Sequence, residues 1–406
     1  MEYIDDTLLA AVLGRDESLF AGAVGEADKE LKAAIKNKKI LVIGAAGSIG
    51  AAFVKQLTAY GPSTLHLIDI NENGLAEVVR DLRSSAIAVP NDFQTFSIGI
   101  GSPEFSAFLK AGFAYDAILN FAALKHVRAE RDPWSMMRML NTNVVYLDDL
   151  LHEASGHSRL ERVFSVSSDK SVNPASAMGS SKTLMEEVLW MHSNHVISTS
   201  ARFANVAFSS GSLLESFLTR LSKKQPLAAP TDVKRFFISH EEAGQLCLFG
   251  AFLTDTREVV FPSLSPQDDM LTFADIAVTV LAHYGYEARQ CDTDEEAREM
   301  AAKLSLEGAK QWPVRFSSSD TSGEKMYEEF YSDADEVDTT RWSNIGVVRI
   351  AEFTAKRADE LRTGLDIIRG QAHSGKVDKE EMLSVLKSLV AGMRHVDTGS
   401  NLDSKM

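Results

Sequence analysis

The segment LVIGAAGSIGAAF, Leu41 to Phe53, constrains the fold of this chain more than any other. A β-branched run ends in glycine, and Gly44, Gly47 and Gly50 recur every third residue into an apolar helical pattern. Glycine at the strand end permits a turn that other residues resist. The second glycine lets a phosphate approach the backbone, and the third lets the helix pack closely. The N–H groups at the helix start, around Ser48 and Ile49, are free to bind an anion. One strand later, HLIDINEN ends in Asp69. A carboxylate there accepts hydrogen bonds from a ribose diol and repels a 2′-phosphate. Strand before, helix after and acid one strand on predict a dinucleotide site favouring NAD over NADP. A tight strand–helix turn with a capping aspartate is the plainer alternative.

The alternation continues along the chain. KILVIGA, STLHLIDI, FQTFSIGI, YDAILNFAA, RVFSVSS and ISTSARFANV read as strands, separated by helical stretches such as GLAEVVRDLRSS, WSMMRMLNTNVVYLDDLLHEA and AMGSSKTLMEEVLWMH. Near-continuous apolar strands between helices predict an α/β fold with a doubly wound, Rossmann-type parallel sheet. Residues 1–37 read as a helical N-terminal extension and 38–205 as the NAD-binding domain. Residues 206–350, richer in Pro and Gly breaks, read as a smaller mixed substrate-binding region that returns to the core. Residues 351–395 follow as paired charged helices and 396–406 as a disordered tail.

Bulk composition narrows the partners. The net charge is −15 and the basic residues are scattered, which argues against a nucleic-acid surface and against docking on anionic lipid. Cys247 and Cys291 lack metal-ligand spacing and read as buried thiols, as in a cytosolic enzyme. The acidic start MEYIDD and the short apolar run after it fit neither a signal peptide nor a membrane span. The expectation is a soluble, cytoplasmic protein with no metal.

The stretch VSSDKSVNPASAMGSSK, Val166 to Lys182, carries the chemistry. Ser168, Asp169 and Lys170 end a strand, where a doubly wound sheet presents its reactive groups. Met178 and Lys182, four apart on the next helix, share a face. Taken alone, Ser-Asp-Lys reads as a polar strand cap.

The glycine spacing and NFAALKHV, with Asn120, Ala122 and Ala123, resemble the extended short-chain dehydrogenase/reductase superfamily. An adenine-contacting Asp common in that superfamily has no counterpart in SIGIGSPEF. The segment from Ser168 to Lys182, together with ALKHV, RFANV, VKRFFIS and SGEKMYEEF, resembles its UDP-N-acetylglucosamine 4,6-dehydratases. Some members of that family carry Met where others carry Tyr, so Met178 is compatible with activity. The resemblance implies NAD as cofactor, with Lys182 on its ribose and Asn120, Ala122 and Ala123 beside it.

It further implies a nucleotide sugar as substrate, UDP-N-acetylglucosamine foremost, oxidised at C4, deprotonated at C5 and dehydrated at C6. Lys170 is the expected C5 base, which requires its pKa to be lowered by about three units. Asp169 is the expected acid at O6, and Ser168 holds the C4 hydroxyl. Lys125, Asn173, Asn205, Ser212, Arg235 and Glu324 match the family's substrate contacts. For Lys125, Arg235 and Glu324 a solvated surface charge is the plainer alternative. The superfamily's habit implies a homo-oligomer. A UDP-sugar 4-epimerase and a non-catalytic NAD-bound sensor stand as rival readings.

The purified protein should carry NAD, and Asp69→Ala should weaken NAD and relax the rejection of NADP. A wild type that prefers NADP in a binding titration would refute this role for Asp69.

Overall fold

The computed structural model describes residues 5–112, 114–156, 159–265, 269–304, 310–319 and 328–393. The expected tail, 396–406, lies outside them. The six expected strands form the parallel body of a sheet: β1 (Lys39–Ile43), β2 (Thr64–Ile68), β3 (Asp92–Phe96), β4 (Ala117–Asn120), β5 (Arg162–Val166) and β6 (Ile197–Ala201). Their spatial order is 3-2-1-4-5-6, so the winding reverses between β1 and β4. All five residues of β2 and all four of β4 are buried, which explains the near-continuous apolar sequence.

The helices that connect and cover these strands begin with α1 (Asp6–Leu13), α2 (Ala21–Ile35), α3 (Ser48–Thr58), α4 (Glu72–Ser84) and α5 (Pro103–Lys110). They continue with α6 (Pro133–Leu140), α7 (Tyr146–Ala154) and α8 (Ala177–His192).

The expected single helix from Trp134 to Ala154 is interrupted. A π turn, Asn141–Val145, separates α6 from α7. It carries the Asn143 amide to the loop after β4, where Oδ1 accepts from the Leu124 N–H at 2.8 Å and Nδ2 donates to the Leu124 carbonyl at 2.9 Å. Nδ2 also donates to Ser181 Oγ at 2.9 Å. A helix that inserts one residue to place a side chain in this way is a frequent mark of a functional site.

Beyond β6 the chain builds a second layer from β7 (Asn205–Val206), α9 (Leu213–Ser222), β8 (Leu227–Pro230) and β9 (Lys234–Ile238). Helix α10 (His240–Phe252) then leads back to β10 (Glu258–Pro262), which joins the main sheet parallel to β6. The second layer resumes with β11 (Met270–Thr272), α11 (Phe273–His283), β12 (Glu287–Gln290), α12 (Asp294–Ala302) and β13 (Gln311–Ser317). Finally β14 (Glu336–Trp342) and β15 (Ile345–Arg349) close the sheet antiparallel beyond β10. Among the described residues that sheet has nine strands.

Two apolar cores result. One surrounds the large sheet; the other gathers Phe217, Phe237, Ile276 and Trp312 of the second layer. The N-terminal extension bridges them, with Leu8 and Val12 of α1 in the second core and Leu31 and Ile35 of α2 in the first. Helices α13 (Ala355–Ser374) and α14 (Lys379–Leu389) pack on α6 and α8. Arg357 clamps that contact, its guanidinium 2.6 Å from Glu187 of α8. Among the described residues no helix is long and apolar enough to cross a membrane.

A buried ion pair joins α8, the end of β6 and the chain before β14 behind the functional segment. Arg202, just past β6, donates through Nε and Nη2 to Glu186 of α8 at 3.0 and 2.7 Å, and through Nη1 to the Phe330 carbonyl at 2.7 Å. Ser171 donates to the same Glu186 at 2.9 Å. Breaking a buried pair strands a charge away from water, so Arg202→Ala should lose about 3–5 kcal/mol in urea unfolding. A loss under about 1 kcal/mol, the range of an exposed pair, would overturn this placement.

Candidate active site

The glycine loop follows its sequence closely. Gly44 sits at φ +78°, and a Cβ there would lie 2.5 Å from the Ala122 nitrogen, so only glycine fits beside the end of β4. Gly50 is needed for a different reason from the expected helix–sheet packing: a Cβ would lie 2.2 Å from the Gly44 carbonyl, inside the loop itself. At Gly47 a Cβ would meet protein no closer than 3.4 Å, which leaves that position open on its cavity side. Asp69 braces the loop. One carboxylate oxygen accepts from the Ala46 N–H and the other from the Asn71 N–H, each at 2.9 Å.

The loop forms one end of a cavity of about 870 Å³. Its wall includes Gly47, Ser48, Ile49 and Gly50, then Ala123 and Lys125, the run Val166–Lys170, and Met178 and Lys182. Opposite stand Asn205, the loop 209–212, and at the far end Arg220 and Arg315. Chain segments 162 residues apart thus meet. The Ser210 N–H donates to Ser48 Oγ at 2.9 Å, joining the second layer to the glycine loop.

Several expected positions are occupied otherwise than the sequence suggested. Asn120 is buried and turned into the sheet, donating to Ser165 Oγ at 3.0 Å and accepting from the Ala122 N–H at 3.1 Å. It supports the loop after β4, and neither it nor Ala122 is part of the cavity wall; Ala123 is. Asn173 is exposed at φ +43° and donates to Glu329 at 3.3 Å, away from the cavity. Arg235 is buried on β9 behind the wall. Ser212 lines the cavity while capping α9 through the Glu215 N–H, and Lys125 Nζ donates to Ser209 Oγ at 3.3 Å. Glu324 lies outside the described residues.

The segment after β5 turns through a short 3-10 helix, Asp169–Ser171, with Ser168 Oγ accepting from the Lys170 N–H. Gly179 lets this turn lie against α8, since a Cβ would be 2.6 Å from the Lys170 carbonyl. Ser176 caps α8, and the buried Glu130 accepts from the Met178 N–H at 2.8 Å. Met178 itself is 1% exposed and packs in the core side of the wall. Asp169 is buried, with Lys170 Nζ 3.1 Å from its carboxylate.

That pairing reverses the expectation for Lys170. Burial works to lower its pKa, but the carboxylates of Asp169 and then Glu328 outweigh it and hold the amine above its ordinary value. The lowered lysine is Lys182. Fully buried, with Nζ donating to the Val166 carbonyl at 3.0 Å, it is pushed down to about 8 by loss of water, against a partial restoring pull from Glu186.

Sequence reading missed Glu328, which belongs to the same MYEEF stretch as the other matched positions. The residue is 6% exposed; its carboxyl accepts from Asn205 Nδ2 at 2.8 Å and from the Phe236 N–H at 2.6 Å, and burial and Asp169 raise its pKa to about 8. It also missed Asn143, whose only sequence signal was an amide in mid-helix. Arg220 and Arg315 gave no signal, because only the fold brings them to one cavity.

The polysaccharide biosynthesis protein family matches residues 40–350. An uncharacterized membrane protein of Methanocaldococcus jannaschii is 32% identical over 62% of this chain and 74% of its own length. The probable polysaccharide biosynthesis protein EpsC of Bacillus subtilis is 26% identical over 74% of this chain, which spans only 46% of that relative. Among solved structures, a UDP-glucuronic acid 4-epimerase from Bacillus cereus, in complex with UDP-glucuronic acid and NAD, superposes with a TM-score of 0.52 over 82% of this chain and 99% of its own, at 16% identity.

The depressed Lys182 has a thermodynamic signature. Its folded pKa of about 8 lies below the ordinary lysine value of 10.5, so the unfolded chain binds more protons between those values. Stability relative to Lys182→Met should therefore rise as pH climbs from about 8 to about 10.5, by about 3 kcal/mol. A difference between the two proteins that stays constant across that window would contradict the assignment.

Proposed function

The chain belongs to the polysaccharide biosynthesis protein family and has the Rossmann-type extended short-chain dehydrogenase fold, and from that premise we propose that it is an NAD-dependent nucleotide-sugar 4,6-dehydratase acting on UDP-N-acetylglucosamine. NAD fits the glycine loop, because Gly47 leaves its cavity side open, the start of α3 at Ser48–Gly50 lines the cavity, and Asp69 braces the loop from the next strand. Bound there, it would supply a hydride acceptor for C4 and return the hydride to C6.

One observation carries the reading. A carboxylate and an amine, Asp169 and Lys170, stand paired in the cavity wall, while Met178 of α8 in the same wall offers only a thioether. Changing C4 alone needs one proton acceptor. Eliminating water across C5 and C6 needs two groups that differ by a proton. The Asp169–Lys170 pair holds that proton between them.

Shifted from Lys170 to Asp169, it leaves an amine to take the C5 proton and a carboxylic acid to protonate O6 as water leaves. The proton released from O4, where Ser168 would hold the hydroxyl, passes through Ser168 to water in the cavity, and water restores the one Asp169 later gives up. Lys170 then returns its proton to C5. The raised pKa of Lys170 means that the resting pair is ammonium and carboxylate, so the internal proton shift is part of the barrier. In this reading Lys182 would hold the cofactor ribose, and Lys125, Ser212 and Arg220, which share the cavity wall, would hold the phosphates.

Substrate deuterated at C4 should give product deuterated at C6 with loss of water. Deuterium left at C4 of an epimerised sugar, or appearing in released nicotinamide, would refute the dehydratase. Lys170→Ala should lose the ~10²–10⁴-fold typical of a proton-transfer group, whereas Met178→Leu should keep most activity. Equal collapse of both variants would refute the division of roles.

A further inference from the structure

Behind the cavity wall, Glu328 holds an amide that also borders the substrate space. Asn205 on β7 lines the cavity, and its Nδ2 donates backward to Glu328 Oε1 at 2.8 Å. The other oxygen of Glu328 is fixed by the Phe236 N–H of β9 at 2.6 Å. Around this carboxyl stand Asp169 and Lys170 from the turn after β5 and Arg235 from β9. The Glu328 side chain itself is not part of the cavity wall, and its hydrogen-bonded route to a ligand runs through Asn205.

We propose that Glu328 is a positioning residue whose proton decides which face of the Asn205 amide the cavity meets. As a carboxylate, Glu328 can only accept, so Asn205 must turn its NH₂ toward it and show its carbonyl oxygen to the cavity. With a proton on Oε1, Glu328 donates to the Asn205 oxygen, and the NH₂ faces the cavity instead. Oε2 keeps the Phe236 N–H in both states, which confines the change to the Asn205 side. Burial and the neighbouring Asp169 place this change near pH 8, within reach of ordinary conditions.

An amide NH₂ suits phosphate and hydroxyl oxygens, whereas an amide oxygen repels phosphate. Protonated Glu328 is therefore the binding state for a diphosphate-bearing ligand, and this last step rests on the nucleotide-sugar reading above.

The switch itself can be read without ligand. In protein labelled with ¹⁵N-asparagine, the Asn205 side-chain signals, identified by their loss in Asn205→Ala, should move in a single titration centred near pH 8. In Glu328→Gln, whose amide accepts from Phe236 and donates to Asn205, they should stay at the wild type's low-pH positions. Signals that stand still in the wild type, or titrate equally in Glu328→Gln, would overturn the proposal.

By calorimetry, UDP-N-acetylglucosamine should bind about tenfold more weakly to the wild type at pH 9.5 than at pH 7. Glu328→Gln should show no such step. Asn205→Ser, whose hydroxyl both donates and accepts, should also lose it with Glu328 intact, and a step retained there would count against Asn205 as the relay. If the signals titrate while the affinity stays flat, the switch stands and the nucleotide-sugar ligand falls.

Discussion

The ion pair between Arg202 and Glu186 is the joint on which the site depends. It connects α8, the turn carrying Asp169 and Lys170, the end of β6 and the backbone of Phe330 in one dry cluster. Each of those elements contributes a group to the cavity or to the carboxyl behind it. Removing water from such a pair is costly, and the cost is met only because every donor of the guanidinium that points inward finds an oxygen. The same geometry fixes Glu328, two residues before Phe330, beside Asn205 and Lys170.

Charge is distributed around the cavity by local partners rather than by residue type. Lys170 and Lys182 both border it, yet burial dominates at Lys182 while paired carboxylates dominate at Lys170. A lysine with an ion-pair partner keeps its proton; one whose nearest contact is a carbonyl oxygen is more readily neutral. The elimination chemistry proposed for Asp169 and Lys170 thus starts from a pair that shares a proton, and Glu328 sets the field in which it moves.

Much of this was legible in advance. The alternation of apolar strands and helices predicted the doubly wound sheet, and the strand order bears it out. Gly44 and Gly50 were readable as conformational requirements, although Gly50 proved to be crowded by the loop itself. The break in the helix after Leu140 was not readable, because a π turn leaves the apolar periodicity nearly unchanged. Nor was the inward turn of Asn120, since a strand-end amide has the same neighbours in sequence whether it faces a ligand or the sheet.

Sequence alone determined the backbone plan: where strands end, where glycine is obligatory, and which residues stand at the mouth of the sheet. Those are local matters, set by φ, by periodicity and by the reach of a side chain from its own element. The tertiary structure decided the protonation and orientation of the reactive groups. Glu328 sits 158 positions after Lys170 in the chain, yet it feels the charges of both Asp169 and Lys170. A pKa is the sum of fields and lost water from whatever the fold brings near, and no run of neighbouring residues contains that sum.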